Sequence, residues 1–245
     1  MISREEAREA LELMLSAPLD TPEPILRRFA ALPGAVSHIK GDKGDFVYVP
    51  GKRDDRVVLV AHSDTVWDKA YTGRDCRGGF VCGEGIYSSE SERHGIGADD
   101  RAGCAILWLL RESGHSLLIT DGEEHGQTGV SSIRRGYPDL FAELNAHCYM
   151  IQADRRNGTD YKFYDLPVSA EFRRFVTEST GYFDAGRFSR TDIVGLCRTV
   201  CGVNLSVGYH DEHTPDEYLD FDEWYNSLCV IERMIAPPQK RYPLI

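Results

Sequence analysis

The ten residues Val57-Val58-Leu59-Val60-Ala61-His62-Ser63-Asp64-Thr65-Val66 decide how the rest of the chain is interpreted. Four apolar residues open the stretch, which is typical of a strand that is buried on both faces of a sheet. His62 and Asp64 lie two positions apart, so on an extended segment their side chains point to the same side. Such a pair is typical of a metal ligand and the carboxylate that orients it, or of an ordinary hydrogen-bonded pair. The metal hypothesis therefore needs further ligands at comparable strand ends.

Length and composition indicate a globular protein and exclude some kinds of partner. The chain has 245 residues, of which 42% are hydrophobic and 27% charged, enough for one large domain or two small ones. A net charge of −11 argues against nucleic acid or an anionic membrane surface as a partner. The apolar runs are shorter than a membrane span, and the acidic start is unlike a signal peptide. We therefore expect a soluble, cytoplasmic protein whose oligomeric state the sequence does not give.

The seven cysteines are odd in number and scattered along the chain. Several lie in apolar runs, which favours free buried thiols in a reducing compartment over a disulfide framework. Cys197 and Cys201 could form half of a metal site, but we favour a structural role for both.

Apolar periodicity and turn residues predict an alternation of helices and strands. We expect helices over residues 3–15, 24–32, 104–110, 128–135, 168–177 and 221–235. We expect strands over residues 36–40, 45–49, 56–61, 115–120, 148–153, 161–164, 193–196 and 203–207, with a turn at 41–44 and a weak hairpin near 80–82. No linker or repeat interrupts this order. It predicts one α/β domain over residues 1–245, a mixed, mainly parallel sheet sandwiched by helices, with the N-terminal helical segment 1–32 packed on it.

Acidic and imidazole side chains recur where predicted strands end or helices begin. They are His62 with Asp64, Asp99 with Asp100, Glu123 with Glu124, then Asp154 and, from a loop, His213. In open α/β sheets, the loops at the carboxyl ends of the strands converge on one site. Two histidines and three carboxylates suit two zinc ions that share a bridging carboxylate. Carboxylates this close together would repel one another strongly without cations.

The motifs together resemble the dinuclear-zinc exopeptidases: the co-catalytic zinc aminopeptidases, peptidase T and the carboxypeptidase and aminoacylase group. The matching segments are His62-Ser63-Asp64-Thr65-Val66, Gly97-Ala98-Asp99-Asp100-Arg101-Ala102-Gly103, Asp121-Gly122-Glu123-Glu124-His125-Gly126, Asp154-Arg155-Arg156 and His213-Thr214-Pro215-Asp216-Glu217. Each motif is short, but the five occur in the family's order and span residues 62–217. The resemblance implies a zinc-exopeptidase fold and two Zn²⁺ ions, which Co²⁺ or Mn²⁺ could replace.

The resemblance also assigns the metal ligands. It implies that His62 and Asp154 hold one zinc ion, that Glu124 and His213 hold the other, and that Asp99 bridges them. His210 competes with His213, which the following Thr-Pro-Asp-Glu turn favours. Asp160 competes weakly with Asp154, which lies where the strand ends.

The remaining roles also come from the resemblance. Asp64 would orient His62 through its second ring nitrogen. Glu123 would be the general base that takes a proton from the attacking water. The family further implies a cis peptide bond between Asp99 and the next residue. Two residues are candidates for substrate binding: Asp192, for which a structural role is equally plausible, and Arg155, which could meet a substrate carboxylate.

The interval between Asp154 and His213 separates this chain from part of the family. The carboxypeptidase and aminoacylase branch usually inserts a lid or dimerisation domain of roughly a hundred residues there, and no such insert fits. This departure favours a compact aminopeptidase that acts on short peptides. A carboxypeptidase or an N-acyl amino-acid deacylase is the alternative enzyme, and a non-catalytic relative that binds peptides or a partner is the alternative class. The expected partner is thus a small peptide or an acylated amino acid.

Overall fold

The structure, a computed structural model, describes residues 1–41 and 43–245, so that Asp42 of the predicted turn lies outside it. Within these residues the strands form one eight-stranded sheet and one four-stranded sheet. The large sheet has the order β1-β2-β6-β3-β7-β10-β8-β9. Its strands are β1 (Val36–His38), β2 (Phe46–Val49), β3 (Val58–His62), β6 (Ser116–Thr120), β7 (Met150–Arg155), β8 (Asp160–Lys162), β9 (Phe183–Asp184) and β10 (Gly202–Ser206). The small sheet contains β4 (Phe80–Gly83), β5 (Ile86–Ser89), β11 (Tyr209–His210) and β12 (Tyr218–Asp220).

The centre of the large sheet is parallel. Strand β3 lies between β6 and β7 and runs parallel to both, with Val58 opposite Ser116 on one side and Met150 on the other. Strand β10 runs parallel to β7, whereas β2 and β8 pair antiparallel with β6 and β10. All residues of β3, β6 and β10 are buried, as expected for strands covered on both faces. The predicted mixed, mainly parallel sheet is confirmed.

Helices cover this sheet. Those of the described residues are α1 (Arg4–Leu15), α2 (Glu23–Ala30), α3 (Lys69–Thr72), α4 (Ala98–Leu109), α5 (Thr128–Gly136), α6 (Pro138–Leu144), α7 (Ala170–Thr180), α8 (Asp192–Leu196) and α9 (Phe221–Ile235). Helix α4 packs on β3 and β7, and α1 packs on α4. Helix α8 packs on β7 and β10, and α5 packs on α8. No helix in residues 1–41 and 43–245 is both long and apolar enough to cross a membrane.

Helix α4 approaches strand β7 very closely at Gly103. A Cβ atom at this position would lie 2.1 Å from the carbonyl oxygen of Ala153 and 2.5 Å from the Asp100 carboxylate. Only a residue without a side chain fits there. The close approach brings the start of α4 next to the end of β7.

Residues 193–196 were predicted as a strand, and this prediction is wrong. They belong to α8, whose sequence Asp-Ile-Val-Gly-Leu is almost entirely buried. A short apolar run with β-branched residues has no periodicity that separates a buried helix from a buried strand. A tertiary contact favours the helix, because the backbone N–H of Ile193, at the start of α8, donates to the side-chain oxygen of Gln152 at 3.0 Å. Helices α3 and α6 were not predicted. Helix α4 was predicted from Cys104 and spans Ala98–Leu109, with a kink of non-helical backbone at Asp99 and Asp100.

Candidate metal centre

The parallel strands deliver the candidate ligands to one edge of the sheet. His62 is the last residue of β3, and Asp154 lies near the end of β7. Glu124 follows β6, Asp99 lies in the first turn of α4, and His213 lies between β11 and β12. The carboxyl ends of neighbouring parallel strands lie side by side, so residues far apart in sequence meet there.

Asp99 lies between the two histidines. Its Oδ1 atom is 3.1 Å from Nε2 of His62, and its Oδ2 atom is 3.1 Å from Nε2 of His213. Each oxygen of one carboxylate thus faces a different imidazole nitrogen. This is the arrangement that a carboxylate bridging two cations requires. The peptide bond between Asp99 and Asp100 is cis, as the resemblance implied.

One half of the centre lies around His62. Its Nε2 atom is 3.4 Å from Oδ1 of Asp154. Donor atoms of His62, Asp100 and Asp154 all lie within 4.8 Å of one another. Asp100, however, accepts hydrogen bonds from the backbone N–H groups of His62 at 3.1 Å and Gly103 at 2.9 Å. We therefore assign Asp100 to holding the backbone and Asp154 to the candidate metal position.

The other half lies around His213. Oε1 of Glu124 is 2.8 Å from Nε2 of His213, yet it is buried and accepts no hydrogen bond of acceptable geometry from the described residues. Donor atoms of Glu124, Asp99 and His62 also lie within 4.8 Å of one another. Two electron-rich atoms that face each other without a hydrogen bond are typical of ligands to a shared cation.

The ring of His62 is oriented by Asp64. Its Nδ1 atom lies 3.1 Å from the backbone oxygen of Asp64 and 3.3 Å from the carboxylate atom Oδ1. Both oxygens are acceptors, so a neutral His62 carries its proton on Nδ1. Its Nε2 lone pair then faces the carboxylates of Asp99 and Asp154, and a cation bound between these groups would stabilise the arrangement. The donor set therefore fits a metal ion.

The electrostatics of the acidic side chains also favour bound cations. Burial, with the Asp99 charge nearby, raises the pKa of Glu124 to about 7. Burial and the Asp154 charge raise the pKa of Glu123 well above its ordinary value. The hydrogen bond to Asp99 and the adjacent carboxylate of Glu124 raise the pKa of His213 to about 11. These groups cannot all ionise together without further cations, which divalent metal ions would supply.

Asp64 also connects the site to the loop after β6. Its two carboxylate oxygens accept hydrogen bonds from the backbone N–H groups of Glu123 and Glu124, each at 3.2 Å. The same carboxylate thus fixes a ring nitrogen of His62 and the backbone of both glutamates. The sequence predicted the contact with His62 alone.

A network of amide and hydroxyl groups surrounds Asp154. Gln152 Nε2 and the hydroxyl of Thr191 donate to its Oδ2 at 2.7 and 2.8 Å. The side chain of Asn204 accepts from its backbone N–H at 3.0 Å and donates to its carbonyl at 2.7 Å. Sequence reasoning missed these partners. The polar residues at 152 and 204 within buried strands were the available signal, because buried polar groups need partners.

The competing residues lie elsewhere in the structure. His210 Nε2 lies 2.7 Å from the carboxylate of Glu223 and not among the candidate ligands. Asp160 binds Arg155, with the second of two contacts at 3.0 Å. Asp192 is fully buried. One of its oxygens accepts from the Thr120 hydroxyl, and the other has no hydrogen-bond partner among the described residues.

A cavity of about 370 Å³ opens over the centre, at the lower end of the size range of small-molecule sites. Asp99, Glu123, Glu124, Asp154 and His213 line it, and Arg155 lies in its wall. Asp192 does not line this cavity; its contact is with the Thr120 hydroxyl. The candidate base and the four candidate ligands other than His62 therefore share a space into which a substrate could enter.

Comparisons with known proteins agree on the fold. No protein-family model and no curated protein sequence matches the chain. Solved structures match over nearly its whole length. Aminopeptidase PepT from Bacillus cereus has a TM-score of 0.68 and 13% identity, covering 96% of this chain and 98% of that one. A tripeptidase from Staphylococcus aureus has a TM-score of 0.68 and 12% identity, covering 96% of this chain and 98% of that one. The TET1 peptidase of Pyrococcus horikoshii can assemble into a tetrahedron or a large octahedral shell. It has a TM-score of 0.63 and 13% identity, covering 94% of this chain and 99% of that one. The chain therefore has the fold of these peptidases.

Proposed function

We propose that the protein is a hydrolase that binds two zinc ions and cleaves the amide bonds of short peptides as an aminopeptidase. The observation that carries the proposal is the position of Asp99, with one oxygen 3.1 Å from each of the two histidines. The solved structures of the same fold support it, because those named above are an aminopeptidase, a tripeptidase and a further peptidase. A candidate zinc-dependent exopeptidase from Bacteroides vulgatus also matches, with a TM-score of 0.58 and 12% identity over 96% of both chains.

The proposed ligand set follows the two halves of the centre. His62 and Asp154 would hold one ion, Glu124 and His213 the other, and Asp99 both. When bound, such ions lower the pKa of a water molecule and polarise the scissile carbonyl group. Co²⁺ or Mn²⁺ could serve in the same ligands.

Glu123 is the proposed general base. Its side chain lines the cavity beside the ligand Glu124, and Asp64 fixes its backbone at 3.2 Å. A carboxylate at this position takes a proton from the attacking water and delivers it to the leaving amine. No serine or cysteine nucleophile is needed for this route.

Two other functions compete with the proposal. A carboxypeptidase or an N-acyl amino-acid deacylase would use the same chemistry on a different substrate terminus. A non-catalytic relative would bind a peptide or a partner without cleaving it. A degenerate copy of the fold is expected to lose a ligand or the base, whereas this chain keeps all five candidate ligands and Glu123 next to them.

The test measures metal content and hydrolysis together. Purified protein should contain two zinc ions per chain by elemental analysis and should hydrolyse leucine p-nitroanilide and dipeptides with a free amino group. A chelator should abolish the activity and added zinc should restore it. N-acetylated peptides distinguish a deacylase or carboxypeptidase from an aminopeptidase. Stoichiometric zinc without turnover of any of these substrates would contradict the enzyme proposal.

Glu123→Gln separates catalysis from metal binding. The variant should bind two zinc ions with nearly unchanged affinity and lose activity by about a hundredfold to ten-thousandfold, the usual contribution of a positioned acid–base group. Asp216→Asn, an exposed residue of the turn after His213, is the matched carboxylate-to-amide control and should keep full activity. Full activity in Glu123→Gln would refute the base assignment.

A further inference from the structure

The cavity over the metal centre carries an unusual amount of positive charge. The chain has a net charge of −11, yet four cationic side chains line this one cavity: Arg155, Arg156, Lys162 and Arg190. Metal ions account for the carboxylates in the lining but not for these cations. Each cation is either paired with a neighbouring residue or left facing the cavity, where it can bind an anionic group of the substrate.

Two of the four cations already have partners. Arg155 binds the buried carboxylate of Asp160 through both Nε and a terminal nitrogen. Arg156 forms an ion pair with Glu212 at 2.8 Å. An arginine held in two such contacts has its charge offset by that carboxylate, although its remaining N–H groups are still donors. Arg155 stays a candidate for substrate binding, but its charge is already paired within the protein.

The ammonium group of Lys162 is engaged in hydrogen bonds with the segment before Arg190. Its Nζ atom donates to the carbonyl oxygen of Phe188 at 2.6 Å and to the hydroxyl of Ser189 at 3.3 Å. Ser189 adopts a positive φ of 93°. This backbone conformation is uncommon for residues other than glycine, and residues that adopt it are often found at functional sites. The buried lysine thus fixes the segment that leads into Arg190.

Arg190 is fixed on its other side as well. The next residue, Thr191, donates its hydroxyl to Asp154, a proposed metal ligand, at 2.8 Å. The backbone of Arg190 is therefore held one residue away from a side chain that contacts the centre. Its own guanidinium lines the cavity and makes no ion pair or hydrogen bond with the residues described in the structure.

We infer, on the basis of the proposed function, that Arg190 is a specificity-determining residue that binds the free C-terminal carboxylate of a dipeptide or tripeptide substrate. A guanidinium presents paired donors that match a carboxylate. One extended residue spans about 3.3–3.6 Å, so the carboxylate of a peptide with one or two residues beyond the cleaved bond lies within reach of an arginine next to the ligand shell. The recognition would come from a fixed loop of the same chain.

The experiment compares matched substrates. The zinc-loaded wild type is assayed on Leu-Gly and on its C-terminal amide, and we expect kcat/KM for the acid to exceed that for the amide by at least about tenfold. In Arg190→Gln this acid-to-amide ratio should fall by about tenfold to a hundredfold, the usual effect of losing a hydrogen bond to a charged group, mainly through KM. Arg187→Gln removes a charge from the same exposed segment but not from the cavity lining, and it should keep the ratio.

The possible outcomes are distinct. A ratio near one in the wild type, or an unchanged ratio in Arg190→Gln, overturns the inference and leaves the proposed function standing. A ratio lost equally in Arg187→Gln also overturns it, because the effect would then be one of general charge. Faster cleavage of Leu-Glu amide than of Leu-Gln amide, lost in Arg190→Gln without a change of the acid-to-amide ratio, would assign Arg190 to an acidic side chain instead. If the wild type cleaves no substrate, the proposed function fails, and calorimetric binding of the same acid and amide to both proteins still decides the role of Arg190.

Discussion

The carboxylate of Glu217 accepts a hydrogen bond from the backbone N–H of Asp99 at 3.1 Å, across 118 positions of the chain. Its second oxygen accepts from the backbone N–H of Gly97 at 2.8 Å. Glu217 is only 1% exposed and belongs to the same turn as His213. It therefore fixes the loop that carries one proposed ligand against the turn that carries the bridging one.

Replacing Glu217 should disturb stability and metal binding together. Glu217→Gln presents an NH₂ group to one of the two backbone donors, leaving it unsatisfied, and should cost about 1–3 kcal/mol of unfolding free energy. Zinc affinity should fall for one ion more than for the other, because the variant loosens the position of His213. Urea unfolding and competition with a chromophoric chelator measure the two effects. Asp216→Asn, exposed in the same turn, is the control and should change neither quantity. If Glu217→Gln also leaves stability and zinc affinity unchanged, Glu217 does not have this positioning role.

The close approach at Gly103 predicts a severe effect from one methyl group. A Cβ would lie 2.1 Å from the carbonyl oxygen of Ala153, so Gly103→Ala must push α4 away from β7 at a cost of about 1–3 kcal/mol. The same displacement separates Asp99 from Asp154 and should weaken zinc binding. Gly136→Ala is the matched control, because nothing lies within 4 Å of its Cβ position, and its stability should stay the same or rise by up to about 1 kcal/mol. Equal stabilities of the two variants would contradict this account.

His147 predicts a loss of stability in mild acid that is independent of the metal centre. Its Nδ1 atom lies 2.8 Å from the carbonyl oxygen of Glu143 and its Nε2 atom 2.8 Å from the Ser116 hydroxyl, so the ring is buried in its neutral form. Burial lowers the pKa of His147 to about 4, below the ordinary value of about 6.5. The unfolded chain therefore binds the proton more readily. The contribution is complete above pH 6.5 and is lost as the pH falls towards 4.

When the pH is lowered from 7 to 5, the preference of the unfolded chain for protonated His147 should reduce the unfolding free energy by about 1–2 kcal/mol. Urea unfolding of the metal-free protein at both pH values measures the change. His147→Gln lacks the titrating ring but retains the carboxylates of the site. The fall in its unfolding free energy between pH 7 and pH 5 should therefore be smaller than that of the wild type by about 1–2 kcal/mol. Identical slopes for the two proteins would show that His147 does not titrate as stated.

Metal removal should destabilise the protein by an amount set by the zinc concentration. Ligand at a hundred times its dissociation constant stabilises a protein by about 2.7 kcal/mol per site. A chelator should therefore lower the unfolding midpoint of the wild type, and added zinc should restore it. Asp99→Asn removes the shared charge and should bind fewer than two ions per chain by elemental analysis, with a smaller midpoint shift on zinc addition. Two ions retained at wild-type affinity would argue against a bridging Asp99.

Strongly periodic elements could be predicted from the sequence, and short buried ones could not. The last helix was predicted over residues 221–235 and is observed as Phe221–Ile235, because fifteen residues repeat the 3.6-residue period several times. Helix α8 has only five residues, almost all buried, so its sequence contains no polar face. Its start depends on a hydrogen bond to Gln152, which no local pattern records.

The candidate site shows the same limit. The order of the motifs indicated which residues to examine, since each lies where a strand ends or a helix begins. The partners that hold them come from distant segments, such as Glu217 for Asp99 and Asn204 for Asp154. Arg190 makes no contact with a described residue that would distinguish it from other arginines. Its position depends on Lys162, which donates to the carbonyl of Phe188.

The separation of the ligands along the chain affects how the protein is made. Synthesis runs from the N-terminus, and domains fold as their residues emerge. His213 is 114 positions after Asp99, and the parallel pairing of β3 with β6 and β7 also joins distant segments, which is slow to form. On the proposed ligand set, a growing chain cannot complete the second metal position until His213 has left the ribosome. Metal loading would then require that the segments from Asp99 to His213 have all been synthesised and have folded together.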